Sequence, residues 1–267
     1  MQQVRVTRCV EMGSVLTESL EPKVSKAVQV YDSMVRLNDS CRSHIERATA
    51  DVRPKMESVL ALEADLGRWL TVLDKRVETA QLRSAHRDFG LAFYAMSCGL
   101  YRQAFSSLRS FLEVSVAAIF LSTAELKRRQ WVSGDIDISW SSMNSADDGI
   151  YSAAYIAAFC PSAVSERLGM RESMRTVYRR CSEYIHGNVG TTNLLPESIE
   201  YNSVIVDEWL AAAKDAVCCV IHCLMVRYFD EFDANQRYRV EATLEENFAH
   251  LVSVRTLLDL PMEDVSR

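Results

Sequence analysis

The sequence predicts an all-α protein, and three observations carry the prediction. Glycine and proline number only nine and five in 267 residues, so few positions force the chain to turn. Alanine, leucine, glutamate and arginine, all good helix formers, are plentiful. In nearly every long stretch the apolar residues recur at threes and fours, the period of a helix face, and not at the twos of a strand. The expected architecture is an all-α helical bundle carrying a long N-terminal helical hairpin. The hairpin or arm would occupy residues 1–85, the bundle 86–235, and a C-terminal helix and tail 236–267.

Pro22 suits the first turn of a long helix. From there Val24, Val28, Tyr31, Val35, Cys41, Ile45 and Ala48 make an amphipathic stripe, interrupted at Asn38. Pro54 is expected to stop or kink that helix. A second helix then carries Val59, Leu62, Leu66, Trp69, Leu73, Val77 and Ala80 at alternating threes and fours. Two such helices read as a hairpin, which either packs on the rest of the chain or recruits a protein partner or a second copy.

After His86, the stretch DFGLAFYAMSCGLYRQAFSSLRSFLEVSVAAIFLS holds two helices or one interrupted near Gly99. Leu100, Ala104, Leu108, Phe111, Leu112, Ser115 and Ile119 mark a wide apolar stripe, so this part should run through the core. Arg109 and Glu113, four apart on its flank, either pair with each other or reach toward the helix that ends in VYRRCSEYIHGN. KRRQWVSGDIDISWSSMNSADDGI is polar and turn-rich and reads as a structured crossover loop. Its Lys127, Arg128 and Arg129 are either a solvated helix end or an extension of a nucleic-acid surface. Short helices follow within 151–168, with Pro161 between them, and the next helix is expected from Met170. GNVGTTNLLPESIEYNS is a loop, Val204 to Phe232 a long apolar helix, and Arg239 to Leu258 a final amphipathic one.

VYRRCSEYIHGN, Val177 to Asn188, is the stretch that reads as chemistry. At about 100° per residue, Arg179 and His186 fall within roughly 20° of each other on a helix, while Arg180 lies about 120° away. Arg175 and Ser182 share the stripe, so one face would present two guanidinium groups, a hydroxyl and an imidazole, a set suited to a phosphate. Gly187 supplies the residue most tolerant of positive φ where the helix ends, leaving His186 in the last turn, where the helix dipole favours a cation. The same residues also fit ordinary surface pairing, Arg175 with Glu172 and Arg179 with Glu183 at helical spacing.

Other chemistries lack an anchor. No Walker loop, strand-bound GxGxxG or GxSxG elbow occurs. Cys219, His222 and Cys223 lack the second ligand pair of a zinc site, so no metal or cofactor is expected. A net charge of −6 argues against a sequence-blind nucleic-acid coat protein while leaving room for a local basic site. MQQVRVTRCVEMG lacks the apolar run of a signal peptide, and no window holds eighteen uncharged apolar residues, so no membrane association and a cytoplasmic location are expected. Without an export signal, the eight cysteines read as free thiols.

An arginine, a short spacer and a histidine near the end of one helix of an all-α bundle, here Arg179 and His186 with six residues between or Arg180 and His186 with five, resembles the HEPN superfamily of helical ribonucleases and RNA-binding domains. The wider run of YRQAFSSLRSFLEVSVAAIF, WVSGDIDISW and VYRRCSEYIHGN is similar to bacterial HEPN-like proteins, some of them in anti-phage or toxin systems. The resemblance covers about Leu91 to Phe232. It implies metal-independent cleavage of RNA by a homodimer that sets two motif faces across one cleft. Arg179 and His186 would then be the catalytic pair, with His186 moving a proton at the ribose 2′-hydroxyl or the leaving oxygen and Arg179 stabilising charge on the phosphorus centre. Arg175 would be a second phosphate clamp, Ser182 or Glu183 an orienting partner, and Arg180 and Asn188 further substrate contacts. A HEPN-like subunit that only binds RNA, or that docks a partner through its hairpin, is the alternative.

Overall fold

The computed structural model describes residues 21–261, with side chains from residue 28 onward. Among the described residues there are eleven α-helices, two short 3-10 turns and no strand. The helices are α1 (Glu21–Val72), α2 (Thr79–Ser97), α3 (Tyr101–Leu121), α4 (Glu125–Ser133), α5 (Trp140–Met143), α6 (Ala153–Phe159), α7 (Arg167–Ile185), α8 (Val189–Thr192), α9 (Ser203–Tyr228), α10 (Ala234–Phe248) and α11 (Val252–Leu257).

The core follows the apolar periodicity. On α3, Ala104, Leu108, Phe111, Leu112, Ser115 and Ile119 are all buried. α9 is buried on most sides through Ala212 to Val226 and packs against α1, α3 and α7. Burying a Leu, Val or Phe side chain contributes about 1.5–3 kcal/mol, and these two helices supply much of the buried apolar surface. By length and composition both α3 and the helical run Ser203–Glu231 are apolar enough to cross a membrane, yet most of each window is covered inside the bundle.

The reversal expected at Pro54 does not occur. α1 spans 52 residues and continues past Pro54, but as two helical stretches that meet at a kink at Val52, with φ −124° and ψ 22°. Proline removes one backbone hydrogen bond and crowds the preceding turn, which a local kink relieves. Packing carries the helix on beyond the kink, because Val52, Met56, Val59, Leu62, Leu66, Trp69, Leu70 and Leu73 all belong to one continuous core. The chain turns back at residues 73–78 instead, so Val77 is exposed and Ala80 lies in α2. Core side chains therefore come from both sides of residue 85 in a single cluster that runs from Val52 to Val254.

α2 and α3 form the closest helix pair, joined through Gly99 at φ +77°. A Cβ there would sit 2.7 Å from the His44 ring, so both the backbone and the space call for glycine. Three further boundaries differ from the periodic reading. The crossover segment is partly helical, as α4 and α5; α7 begins at Arg167 and runs through Gly169; and the last predicted helix divides into α10 and α11. α10 starts earlier than its apolar stripe because Asp233 and Gln236 close a reciprocal capping box at its N-terminus.

All seven cysteines among the described residues are free, five of them buried; Cys9 lies outside the described residues. Cys223 donates to the Tyr151 hydroxyl at 3.3 Å, and that hydroxyl meets His222 Nδ1 at 3.0 Å. Burial pushes the His222 imidazole down to about 3, with nearby His250 adding to the effect, so the ring is held neutral inside the core.

Candidate active site

Packing sets the rotation of α7. Met174, Val177, Cys181 and Tyr184, at spacings of three, four and three, are its buried residues. Tyr184 stacks on Phe105 of α3 with centroids 3.8 Å apart, and its hydroxyl donates to Glu208 of α9 at 2.7 Å. Arg180 Nη1 lies 3.8 Å from Asp215 on α9. With these anchors in place, Tyr178 and His186 turn toward α3 while Arg175 and Arg179 point outward.

The helix ends as its sequence predicts. His186 is the C-cap residue, its N–H donates to the Ser182 carbonyl at 3.0 Å, and Gly187 follows at φ +68°. Thr191 Oγ1 donates to the Glu183 carbonyl at 2.9 Å, tying the departing loop back to the last turn. The exposed imidazole is thereby fixed at the mouth between α3 and α7.

The cation that reaches His186 comes from α3. Arg109 Nη1 is 3.2 Å from His186 Nε2. The same guanidinium donates through Nη2 to the Tyr178 hydroxyl at 2.5 Å and through Nε and Nη2 to Glu113 Oε1 at 3.3 and 3.2 Å. It also covers the Tyr178 ring, 4.6 Å from the centroid. Trp140 stacks on Tyr178 at 4.0 Å and 7° between planes. Arg171 holds the short α5 in place by donating Nε to the Asn144 carbonyl at 2.9 Å. The result is a cluster of one guanidinium, one imidazole, one carboxylate and two stacked aromatic rings, drawn from α3, α5 and α7.

A guanidinium carries donors and no acceptor, so the contact makes Nε2 the acceptor and places the imidazole hydrogen on Nδ1. Burial, and then the Glu113 carboxylate, raise the Tyr178 phenol above its usual range, against the opposing pull of Arg109. Tyr178 is therefore a protonated hydroxyl at neutral pH. Burial pushes Cys181 up to about 12, so it is a packing thiol and not a nucleophile.

The other residues singled out from the sequence are placed as follows. Arg179 pairs with Glu183 at 3.1 Å and Arg175 with Glu172 at 3.5 Å, both at helical spacing and well exposed. Ser182 donates its hydroxyl to the Tyr178 carbonyl at 2.8 Å. Asn188 is exposed, and its carbonyl accepts from Thr192 and Thr191 as α8 begins. Arg175, Arg179 and Arg180 share a shallow depression of about 300 Å³, but Glu172, Glu183 and Glu208 line it too and balance their charge. Of the expected catalytic pair, His186 joins the interhelical cluster and Arg179 stays on the outer face. In the crossover, Arg128 and Arg129 both pair with Glu125, whose carboxyl their three hydrogen bonds draw down to about 2.

Sequence reasoning raised Arg109 and Glu113 as neighbours of this helix but did not select them. Trp140 and Tyr178 had no periodic signal that joined them, since Tyr178 lies about 80° off the His186 stripe. No protein-family model, curated protein or solved structure matches this chain. Its class rests on its own geometry, an all-α bundle with an arginine–histidine contact at the surface between two helices.

Proposed function

We propose that this chain is a metal-independent endoribonuclease of the HEPN type, cytoplasmic and working in a bacterial defence or toxin system. The observation that supports it best is the 3.2 Å contact between Arg109 Nη1 and His186 Nε2 at an exposed site. A phosphodiester competes for the guanidinium, because charge-assisted bonds to phosphate oxygens are stronger than a bond to a neutral imidazole. Its arrival releases Nε2 beside the ribose. Nε2 then takes the proton of the 2′-hydroxyl as the O2′–P bond forms. Arg109 stabilises the added negative charge on the phosphorus centre. The P–O5′ bond breaks, and the imidazolium returns its proton, through solvent, to O5′. The products are a 2′,3′-cyclic phosphate end and a 5′-hydroxyl end, so no water is consumed.

Two features fit RNA as the substrate. Half-buried Trp140, held by its stack on Tyr178, puts an aromatic ring next to the reacting groups, and unstacked bases of single-stranded RNA bind such rings. Glu113 holds Arg109 in its pose and limits the net positive charge, which suits a chain of overall charge −6. Here Arg109 takes the phosphate role that the resemblance assigns to Arg179, while Arg175, Arg179 and Arg180 lie one helix face away, each beside a carboxylate.

The test is cleavage of cellular RNA by purified protein in excess chelator, beside His186→Ala with matched helicity by circular dichroism. Cleavage by the natural protein, giving cyclic phosphate ends, and its loss in the variant are expected. Equal cleavage by both, or none by either, would contradict the proposal, and silence of both would favour a subunit that binds RNA or a partner without turnover.

A further inference from the structure

Beyond the Arg109–His186 contact, the exposed side of α3 carries a second cation. Arg102 stands seven positions before Arg109, so at about 100° per residue the two lie within roughly 20° of each other, about 10 Å apart along the helix axis. Arg102 is exposed, and among the described residues it pairs with no carboxylate. That sets it apart from the other cations of the region, since Arg109, Arg175, Arg179 and Arg180 each have an acid at 3.1 to 3.8 Å. The helix between the two arginines is free of negative charge. From Tyr101 to Leu112 it has no acidic residue, and the exposed side chains there are Arg102, Gln103 and Ser106, all able to donate hydrogen bonds.

The acids that border this stretch are engaged elsewhere. Glu113 lies one turn beyond Arg109, on the side away from Arg102, and is bound by the Arg109 guanidinium. Asp88 of α2 accepts from Ser110, about 100° round the helix from Arg109. In the loop that meets the Tyr101 hydroxyl, Glu200 accepts from Ser198 at 2.6 Å. Packing also leaves the stretch open. Phe105 stacks on Tyr184, while Arg109, four residues later, reaches Tyr178, six residues before Tyr184, so α3 and α7 run antiparallel. Three residues back from Phe105, Arg102 comes level with Gly187, where α7 has ended. A strand lying at His186 therefore has the Trp140 ring toward one end of the cleft and an unpaired guanidinium toward the other.

We propose that Arg102 holds a second phosphate of a single-stranded RNA whose scissile phosphate sits at Arg109, so that the backbone of the strand runs along α3 toward the start of the helix. This deepens the ribonuclease reading and rests on it for the place of the strand. One phosphate does not span two cations about 10 Å apart, whereas a strand presents a fresh charge at every linkage. Arg102 has no ion pair to give up, so its charge-assisted bonds to phosphate oxygens form without breaking a contact inside the protein. The uncharged donors Gln103 and Ser106 suit the same backbone and discriminate no base.

The test is fluorescence anisotropy of a labelled RNA hexanucleotide with a 2′-O-methyl group on every ribose, which has no free hydroxyl to attack and stays intact. It is titrated with the full chain between about 50 and 200 mM salt. Arg102→Ala is expected to weaken binding by about fivefold at the lower salt and to flatten the slope of log K against log salt by about 0.7, one phosphate contact on a single strand. Arg239→Ala removes another exposed cation without a carboxylate partner, from α10, which packs on α1, and should change binding by less than about twofold. Combined with Arg109→Gln, Arg102→Ala should flatten the slope by the sum of the two single effects, because the two side chains hold separate phosphates. No binding by the natural protein, an unchanged slope in Arg102→Ala, an equal loss in Arg239→Ala, or a double variant no flatter than either single one overturns the proposal. Binding with the expected slopes but no cleavage of unmodified RNA would remove the ribonuclease reading and leave the Arg102 contact standing, so the two fail separately.

Discussion

The two exposed sides of α7 carry similar residues put to different use. On the outer side Arg175 and Arg179 pair with glutamates one turn away on the same helix, Glu172 and Glu183. On the side facing α3, His186 and Tyr178 meet a guanidinium from another helix, Arg109, half-buried at 21% exposure. Pairs at i,i+4 on a solvated helix are worth about 0.2–0.5 kcal/mol and place no group against a ligand. A cation shared among an imidazole, a phenol and a carboxylate is held in one pose by packing, the condition for chemistry. Charge on a helix surface thus becomes a candidate site where a second element fixes it.

That contrast sharpens under measurement, and the largest effect concerns the substrate. If the α3 side works through the ribose hydroxyl, an oligonucleotide with a 2′-deoxy residue at the scissile position remains uncut, a loss of at least about 10⁴-fold. Gel analysis of an end-labelled strand reads this, and cleavage at the deoxy position would refute the proposed nucleophile.

Next in size is acid sensitivity, which separates exposed His186 from buried His222. The His222 imidazole titrates at about 3 when folded and near the usual 6.5 when unfolded, so the unfolded chain binds more protons between those values. Stability from this group is complete above about 6.5 and falls by about 1.4 kcal/mol per pH unit as pH drops toward about 3. Urea midpoints from pH 7 to pH 4 should decline, and His222→Leu should decline less steeply. A variant slope equal to the natural one would count against a neutral buried ring.

Smaller effects belong to the supports of α7. Tyr184→Phe removes the donor to Glu208 while keeping the stack on Phe105, and should cost about 1 kcal/mol, read as a lower thermal midpoint. Arg175→Ala should cost less than about 0.5 kcal/mol in the same measurement. An equal loss from both would mean that the outer ion pairs matter more than the comparison allows.

The all-α class, the buried stripe of α3, the break at Gly99 and the end of α7 at His186–Gly187 were legible because each depends on local chemistry, whether period, positive φ or capping. Pro54 marked the kink, but the hairpin inferred from it did not follow, because a proline reports a local cost and says nothing of the packing that offsets it. Val52 to Leu73 bury enough apolar surface to carry the helix through with only a kink. Arg179 drew attention because it shares a stripe with His186, while Arg109, 77 positions earlier, becomes its neighbour only when α3 and α7 pack. Trp140 was visible only as an aromatic in a turn-rich segment, since its place over Tyr178 depends on Arg171 gripping the end of α5.

The most direct test of the central claim is the initial rate of RNA cleavage, in excess chelator, by Arg109→Lys beside Arg179→Lys. Lysine keeps the charge but loses the planar fork. The account predicts that Arg109→Lys falls by at least about tenfold while Arg179→Lys stays within about fivefold of the natural rate. A full rate for Arg109→Lys together with a collapse for Arg179→Lys would move the chemistry to the outer side of α7 and contradict it.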